Sequence, residues 1–269
     1  MLIPGVRAHD YGKDTPAALF AKIAADGFTT MQLAISKALQ VTDPASMLPD
    51  IQSALAENNL SVGVLGSYVE PGHGNEEIRQ DAVKTFCENI PVAAALRAGC
   101  IGTETTHTSQ QPPGVTKSDA LRNLRKSLEA ILPVAEEHKM IVGIEPVYYH
   151  TLSTPELTKE LLRDMKSPWL KVIYDPVNLL SPELIPAQHA LWNRAMDCFG
   201  NDVVAVHMKG VQLADGKMIP CSFQDSLLDY ADLFEDLNQL SGTLPLLREE
   251  VQPASGAADL AFFKKYIAG

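Results

Sequence analysis

The 269-residue chain carries 33 acidic against 22 basic side chains, a formal net charge of -11. That balance argues against nucleic acid as a partner, since phosphate contacts need a basic face. No apolar run approaches the ~18 residues of a membrane span, while 46% hydrophobic and 20% charged residues suit a globular class with a sizeable core. The four cysteines, Cys87, Cys100, Cys198 and Cys221, show no CxxC spacing, and Met1-Leu2-Ile3-Pro4-Gly5 has neither a basic nor an apolar leader segment. Reduced thiols and a cytoplasmic location are therefore expected.

Short apolar runs alternate with longer amphipathic stretches along the whole chain, the pattern of βα units around a parallel sheet. The first strand is expected at 3–8, ending at His9-Asp10, with a helix from Thr15 closed by Asp26-Gly27. The second strand covers 29–34, and its helix starts near Asp43-Pro44, a cap residue followed by proline at the first helical position. The third strand is placed at 61–66 with a helix over 74–98, and the fourth at 100–104 with a helix over 117–138. Strand five covers 140–145, and Thr154-Pro155-Glu156 opens the next helix. Strands six, seven and eight are placed at 171–174, 203–207 and 244–249, with a last helix over 256–266. Trp169 and Trp192 read as core.

Runs such as Ile141-Val142-Gly143-Ile144 and Val203-Val204-Ala205-Val206 are apolar without alternation, as in strands buried on both faces. Eight units and no Gly-x-Gly-x-x-Gly after the first strand favour a closed barrel over an open doubly wound sheet. With no linker to divide it, residues 1–269 read as one α/β domain, a single (β/α)8 TIM barrel.

Four late strands change character at their ends: Glu145 closes strand five, Asp175 strand six, His207 strand seven and Glu249 strand eight. A barrel gathers all C-terminal strand ends around one mouth. Three carboxylates there repel one another unless a cation neutralises them. An oxygen-rich set with one imidazole fits Mn²⁺ or Mg²⁺ best, Co²⁺ next and Zn²⁺ last. A one-residue slip in register puts Glu250 in the place of Glu249.

Gly143-Ile144-Glu145-Pro146, Ile173-Tyr174-Asp175-Pro176-Val177-Asn178, Val206-His207-Met208-Lys209 and Leu246-Leu247-Arg248-Glu249 resemble the metal-binding strand ends of the xylose isomerase-like TIM barrel superfamily. Its sugar phosphate isomerase/epimerase members include ketose 3-epimerases and hydroxypyruvate isomerases. The resemblance covers nearly the whole chain in order and length. It implies Glu145, Asp175, His207 and Glu249 as ligands of one divalent metal, with Glu145 and Glu249 as the acid and base that move a proton through an enediolate. It also implies a small carbohydrate as the partner, and allows a homo-oligomer. The gap between His207 and Glu249 is the longest, which points to an extended loop at 210–225 that covers the site.

The chain departs from the best-known epimerases at two places. They carry His three residues after the strand-six Asp, where this chain has Asn178, and Arg shortly after the strand-seven His, where it has Lys209. Asn178 and Lys209 are taken as substrate-binding residues, joined by His9, His150 and Glu104 at other strand ends, with Arg7, Gln32, Lys37, Tyr68 and His107 as weaker rim residues. Those departures leave a lyase or dehydratase of the inosose or dehydroshikimate type open. An abasic-site endonuclease shares the barrel but needs clustered extra histidines and a basic rim, whereas the seven histidines here are scattered. A non-catalytic carbohydrate-binding barrel sits poorly with an intact ligand set.

Overall fold

Eight parallel strands close on themselves in the computed structural model, which describes residues 1–40 and 46–267. They are β1 (Leu2–Arg7), β2 (Thr30–Leu33), β3 (Ser61–Gly66), β4 (Cys100–Glu104), β5 (Val142–Glu145), β6 (Leu170–Tyr174), β7 (Val203–Met208) and, after a two-stranded hairpin of β8 (Gly210–Ala214) and β9 (Lys217–Cys221), the closing strand β10 (Leu244–Arg248). β10 pairs with β7 on one side and β1 on the other, so every barrel edge is paired.

Helices follow the strands. They are α1 (Pro16–Ala25), the single turn α2 (Ile35–Ala38), α3 (Leu48–Glu57), α4 (Glu76–Ala95), α5 (Lys117–Glu137), α6 (Pro155–Met165), α7 (Gln188–Phe199), α8 (Ala231–Gln239) and α9 (Gly256–Tyr266). Local chemistry starts several of them. Thr15, Asn75 and Thr154 each accept a backbone N–H of the first turn, and Thr116 with Asp119 forms a capping box on α5. The helix start expected at Asp43-Pro44 lies outside the described residues. α7 and α8 were given no bounds from the sequence, and the hairpin was not anticipated.

The predicted strands agree with the observed ones to within two residues at either end. Alternation along each strand sends one set of side chains into the barrel and the other outward to the helices. The outward set packs into two large clusters, one of which contains Trp192, Phe199, Phe234 and Phe263. Trp192 is buried, with its indole N–H donated to the carbonyl of Pro176 at 2.9 Å, and Trp169 packs half-buried against the other cluster, so both are core. The inward set is small: Val64, Cys100, Ile173, Ala205 and Leu247. Ile173 fills the centre because Gly102 and Gly143 leave room for it; a Cβ at those positions would lie 2.3 and 2.7 Å from its side chain. All four cysteines are free, and among the described residues no helix is long and apolar enough to cross a membrane.

Candidate metal centre

Strand parity selects the site. Gly143, Ile173, Ala205 and Leu247 face the barrel interior, so the residues two further along, Glu145, Asp175, His207 and Glu249, face the same way at the mouth. The same rule puts Arg7, Gln32, Glu104 and Lys209 on the inner ring and sends Arg248 outward. It also decides between the two adjacent glutamates. Glu249 is buried with Oε1 at 3.3 Å from Nδ1 of His207, whereas Glu250 has a left-handed backbone (φ 56°) and lines the rim.

Glu145, Asp175 and His207 each offer a ligand atom within 4.8 Å of the others, and all three are buried. Nδ1 of His207 lies 3.1 Å from Oε2 of Glu145 and 3.3 Å from Oε1 of Glu249, yet has no aligned hydrogen-bond partner. Adjacent ligand atoms of an octahedral ion with bonds of about 2.1 Å lie about 3 Å apart and point at the ion, not at each other. The donor set therefore fits a divalent metal. Asp175 is anchored for such a role: Oδ1 accepts the backbone N–H groups of Val177 and Asn178 at 2.8 and 2.9 Å, while Oδ2 has no hydrogen-bond partner.

Two residues expected to touch substrate also contact these carboxylates. Asn178 Nδ2 donates to Oε1 of Glu145 at 2.6 Å. The Lys209 ammonium lies 3.0 Å from Oδ2 of Asp175 and 3.3 Å from Oε2 of Glu249. Arg7, paired through two nitrogens with Asp10, reaches Oε2 of Glu249 at 3.5 Å.

Charge is unevenly distributed over the ring. Burial disfavours the His207 imidazolium, but Glu249 and Glu145 outweigh it and raise its pKa to about 9. Burial pushes Asp175 up to about 6 against the pull of Lys209. Glu249 is held below the usual carboxylate range, because His207, Lys209 and Arg7 outweigh its burial. Glu104 is pushed up to about 8 by burial and then by Glu145 and Glu249.

The rim divides in two. On the strand-one side His9 sits in a short 3-10 turn, lowered to about 4 by burial and by Arg7, with Nδ1 unpartnered. Beside it Gln32 donates to the Tyr68 hydroxyl and keeps a buried, unpartnered Oε1, and the Lys37 ammonium lies 3.9 Å above the Tyr68 ring. On the opposite side Nε2 of His150 lies 3.7 Å from Glu104, and His107 packs against Tyr149 and His150. A cavity of about 570 Å³ opens beside this ring, lined by Tyr148, Tyr149, Asn178, Lys209, Lys217 and Glu250. Lys217, Met218 and Pro220 of β9 form one wall, so the loop expected to cover the site is a hairpin standing beside it. The two tyrosines went unnoticed in the sequence; their signal was an aromatic run, Tyr148-Tyr149-His150, directly after strand five.

The match to a known family, described as Xylose isomerase-like TIM barrel, runs over residues 20–265. The chain belongs to this family. No curated protein sequence matches it. Solved structures that resemble it in fold include three with near-complete coverage. One is a D-tagatose 3-epimerase-like protein (17% identity, TM-score 0.77, covering 98% of this chain and 96% of that one). Another is a 3-keto-D-glucoside 4-epimerase from E. coli in its apo form (17%, 0.72, 98% and 100%). The third is a xylose isomerase-like TIM barrel protein from Mycobacterium smegmatis in complex with magnesium (14%, 0.68, 98% and 95%). At these identities the likeness is one of fold.

Proposed function

We propose that the protein is a divalent-metal-dependent isomerase or epimerase of a sugar, sugar phosphate or keto-sugar, in which Glu145 and Glu249 move a proton through an enediolate of the substrate. The observation that carries this reading is that Glu145, Asp175 and His207 bring ligand atoms within 4.8 Å of one another, with Glu249 3.3 Å from the same imidazole nitrogen, which lies between carboxylate oxygens without an aligned hydrogen bond. The epimerase and magnesium-bound neighbours support it.

The ion, Mn²⁺ or Mg²⁺ by its oxygen-rich donors, supplies Lewis-acid polarisation of the substrate carbonyl, which makes the neighbouring C–H more acidic. The protein supplies the proton transfers. Glu145 ends β5 and Glu249 directly follows β10, with β6 and β7 between these strands in the barrel order, and so the two reach the mouth from different directions. When one carboxylate takes a proton from one face and the other, already protonated, delivers its own proton to the opposite face, the carbon inverts; when the proton is delivered to the adjacent carbon, and the hydroxyl proton passes from one oxygen to the other, the carbonyl moves. Asn178 holds Glu145 in place, and Arg7 holds Glu249. His9, Gln32, Glu104 and His150 surround the site with polar atoms suited to hydroxyl groups.

Metal analysis of the purified protein, combined with exchange of solvent deuterium into a panel of ketoses, keto acids and inososes, tests the reading. Bound metal and exchange at one C–H are expected. Metal-replete protein that exchanges nothing across the panel overturns it, and an unsaturated product absorbing in the ultraviolet reassigns the protein to the dehydratases.

A further inference from the structure

Lys209 faces two of the four proposed metal ligands, Asp175 and Glu249. It lies two residues beyond His207 on the same inward face, 8% exposed, and its ammonium faces two carboxylates from different strands. The oxygens it faces matter most. Oδ2 of Asp175 is the oxygen left over after Val177 and Asn178 have taken Oδ1, and Oε2 of Glu249 is the one turned away from His207. Three buried carboxylates without compensation would be strongly unfavourable. His207 answers Glu145 and one oxygen of Glu249, and Lys209 answers Asp175 and the other.

We propose that Lys209 is the internal counter-ion of the metal-free site: its ammonium bridges Asp175 and Glu249, and a divalent ion that takes those carboxylates must displace it. The proposal rests on the metal reading above. Its physical basis is that a positive charge about 3 Å from oxygens that a doubly charged ion would take is repelled by that ion in a poorly screened site. The cavity gives the ammonium somewhere to go, since Lys209 shares its wall with Glu250 and Asn178. The lysine thus holds the ligands assembled before the metal arrives. Once displaced, it points into the space a substrate would enter.

An ordinary supporting residue behaves in the opposite way. Removing a side chain that merely orients a ligand weakens metal binding by about 10- to 100-fold; removing a competing cation strengthens it. The test is Mn²⁺ titration of the full chain by calorimetry for wild type, Lys209→Gln and Lys209→Arg. Lys209→Gln is expected to bind Mn²⁺ about tenfold or more tighter, a gain of the size a nearby charge gives, and Lys209→Arg to stay near wild type. Without metal, Lys209→Gln should melt below wild type, and the rise in Tm on adding Mn²⁺ should be larger than in wild type. If the variant folds only with Mn²⁺ present, that also identifies the ammonium as the counter-ion. A measurement without mutation is the ¹⁵N resonance of the Lys209 ammonium, expected to shift when Mg²⁺ is added; a resonance unmoved at saturating Mg²⁺ overturns the proposal. Wild type that binds Mn²⁺ with equal or weaker binding by Lys209→Gln overturns it while leaving the metal reading intact. No binding by wild type or variant removes the metal reading and the proposal together.

Discussion

Arg248 and Glu249 are consecutive in sequence and face opposite sides of the barrel wall, yet the guanidinium of the first donates to the backbone carbonyl of the second. Arg248 is also held by Oδ2 of Asp259 on α9 at 3.1 Å, donates to the carbonyl of Cys221 at the end of the hairpin at 3.0 Å, and lies over the Phe223 ring. One buried cation thus fixes the last barrel strand, the hairpin and the last helix around the turn that carries Glu249. Arg248→Met leaves Asp259 buried and unpaired, at a cost of about 3–5 kcal/mol. Urea unfolding should show that loss, and Arg248→Met combined with Asp259→Leu should recover much of it. Equal stability of the single variant and wild type would show that the pair carries no such weight.

The proton-transfer assignment makes a graded prediction. Glu145→Gln and Glu249→Gln should each abolish turnover and weaken metal binding, since each change removes a carboxylate proposed both to hold the ion and to move the proton. Asn178→Ala keeps both carboxylates but frees Glu145, and should lower metal affinity or turnover by about 10- to 100-fold. Steady-state kinetics alongside Mn²⁺ titration separates the three, and full turnover in both glutamine variants sinks the assignment.

The two rim histidines make stability sensitive to acid. Burial lowers both His9 and His150 from 6.5 to about 4 in the folded protein, with Arg7 adding to the effect at His9 and His107 at His150. Between pH 6.5 and about 4 the unfolded chain therefore takes up protons at these positions that the folded protein refuses, and stability falls as pH falls. Above pH 6.5 both states are neutral there and the contribution is flat. Glu104, at 3.7 Å from His150, moves the other way because its folded pKa is raised. Comparing urea unfolding of wild type and His150→Gln across this window isolates one histidine: the variant should lose less stability on acidification, and identical slopes would contradict the neutral assignment.

The packing at the barrel centre can be tested away from the site. A Cβ added at Gly102 would sit 2.3 Å from Cδ1 of Ile173. Gly102→Ala should cost about 1–3 kcal/mol by overpacking. Ile173→Val removes the offending methyl group, so the double variant should be more stable than Gly102→Ala alone. Additive losses in thermal or chemical unfolding would place the strain elsewhere.

The barrel itself was legible because two-sided burial leaves a local mark: a strand covered on both faces is apolar throughout, as Val203 to Val206 are, and a polar residue at its end stands out. Thr15 and Thr154 likewise announced their helices through chemistry that acts within one turn. The hairpin at Gly210–Cys221 was not legible, because its residues Lys217 to Cys221 are mostly exposed or half-buried and no apolar alternation separates them from a loop.

At the site, the sequence by itself determined which side chains end the strands, and hence that Glu145, Asp175, His207 and Glu249 are available at one mouth. Tertiary structure decided the rest. Choosing Glu249 over Glu250 needed the strand parity set by Leu247 inside the barrel. Assigning Asn178 to Glu145, and Lys209 to Asp175 and Glu249, needed distances between residues that lie 33 or more positions apart in the chain and meet only through the closed sheet. Chain order records which chemistry each strand carries; contacts between strands depend on barrel closure and register, which no local pattern encodes.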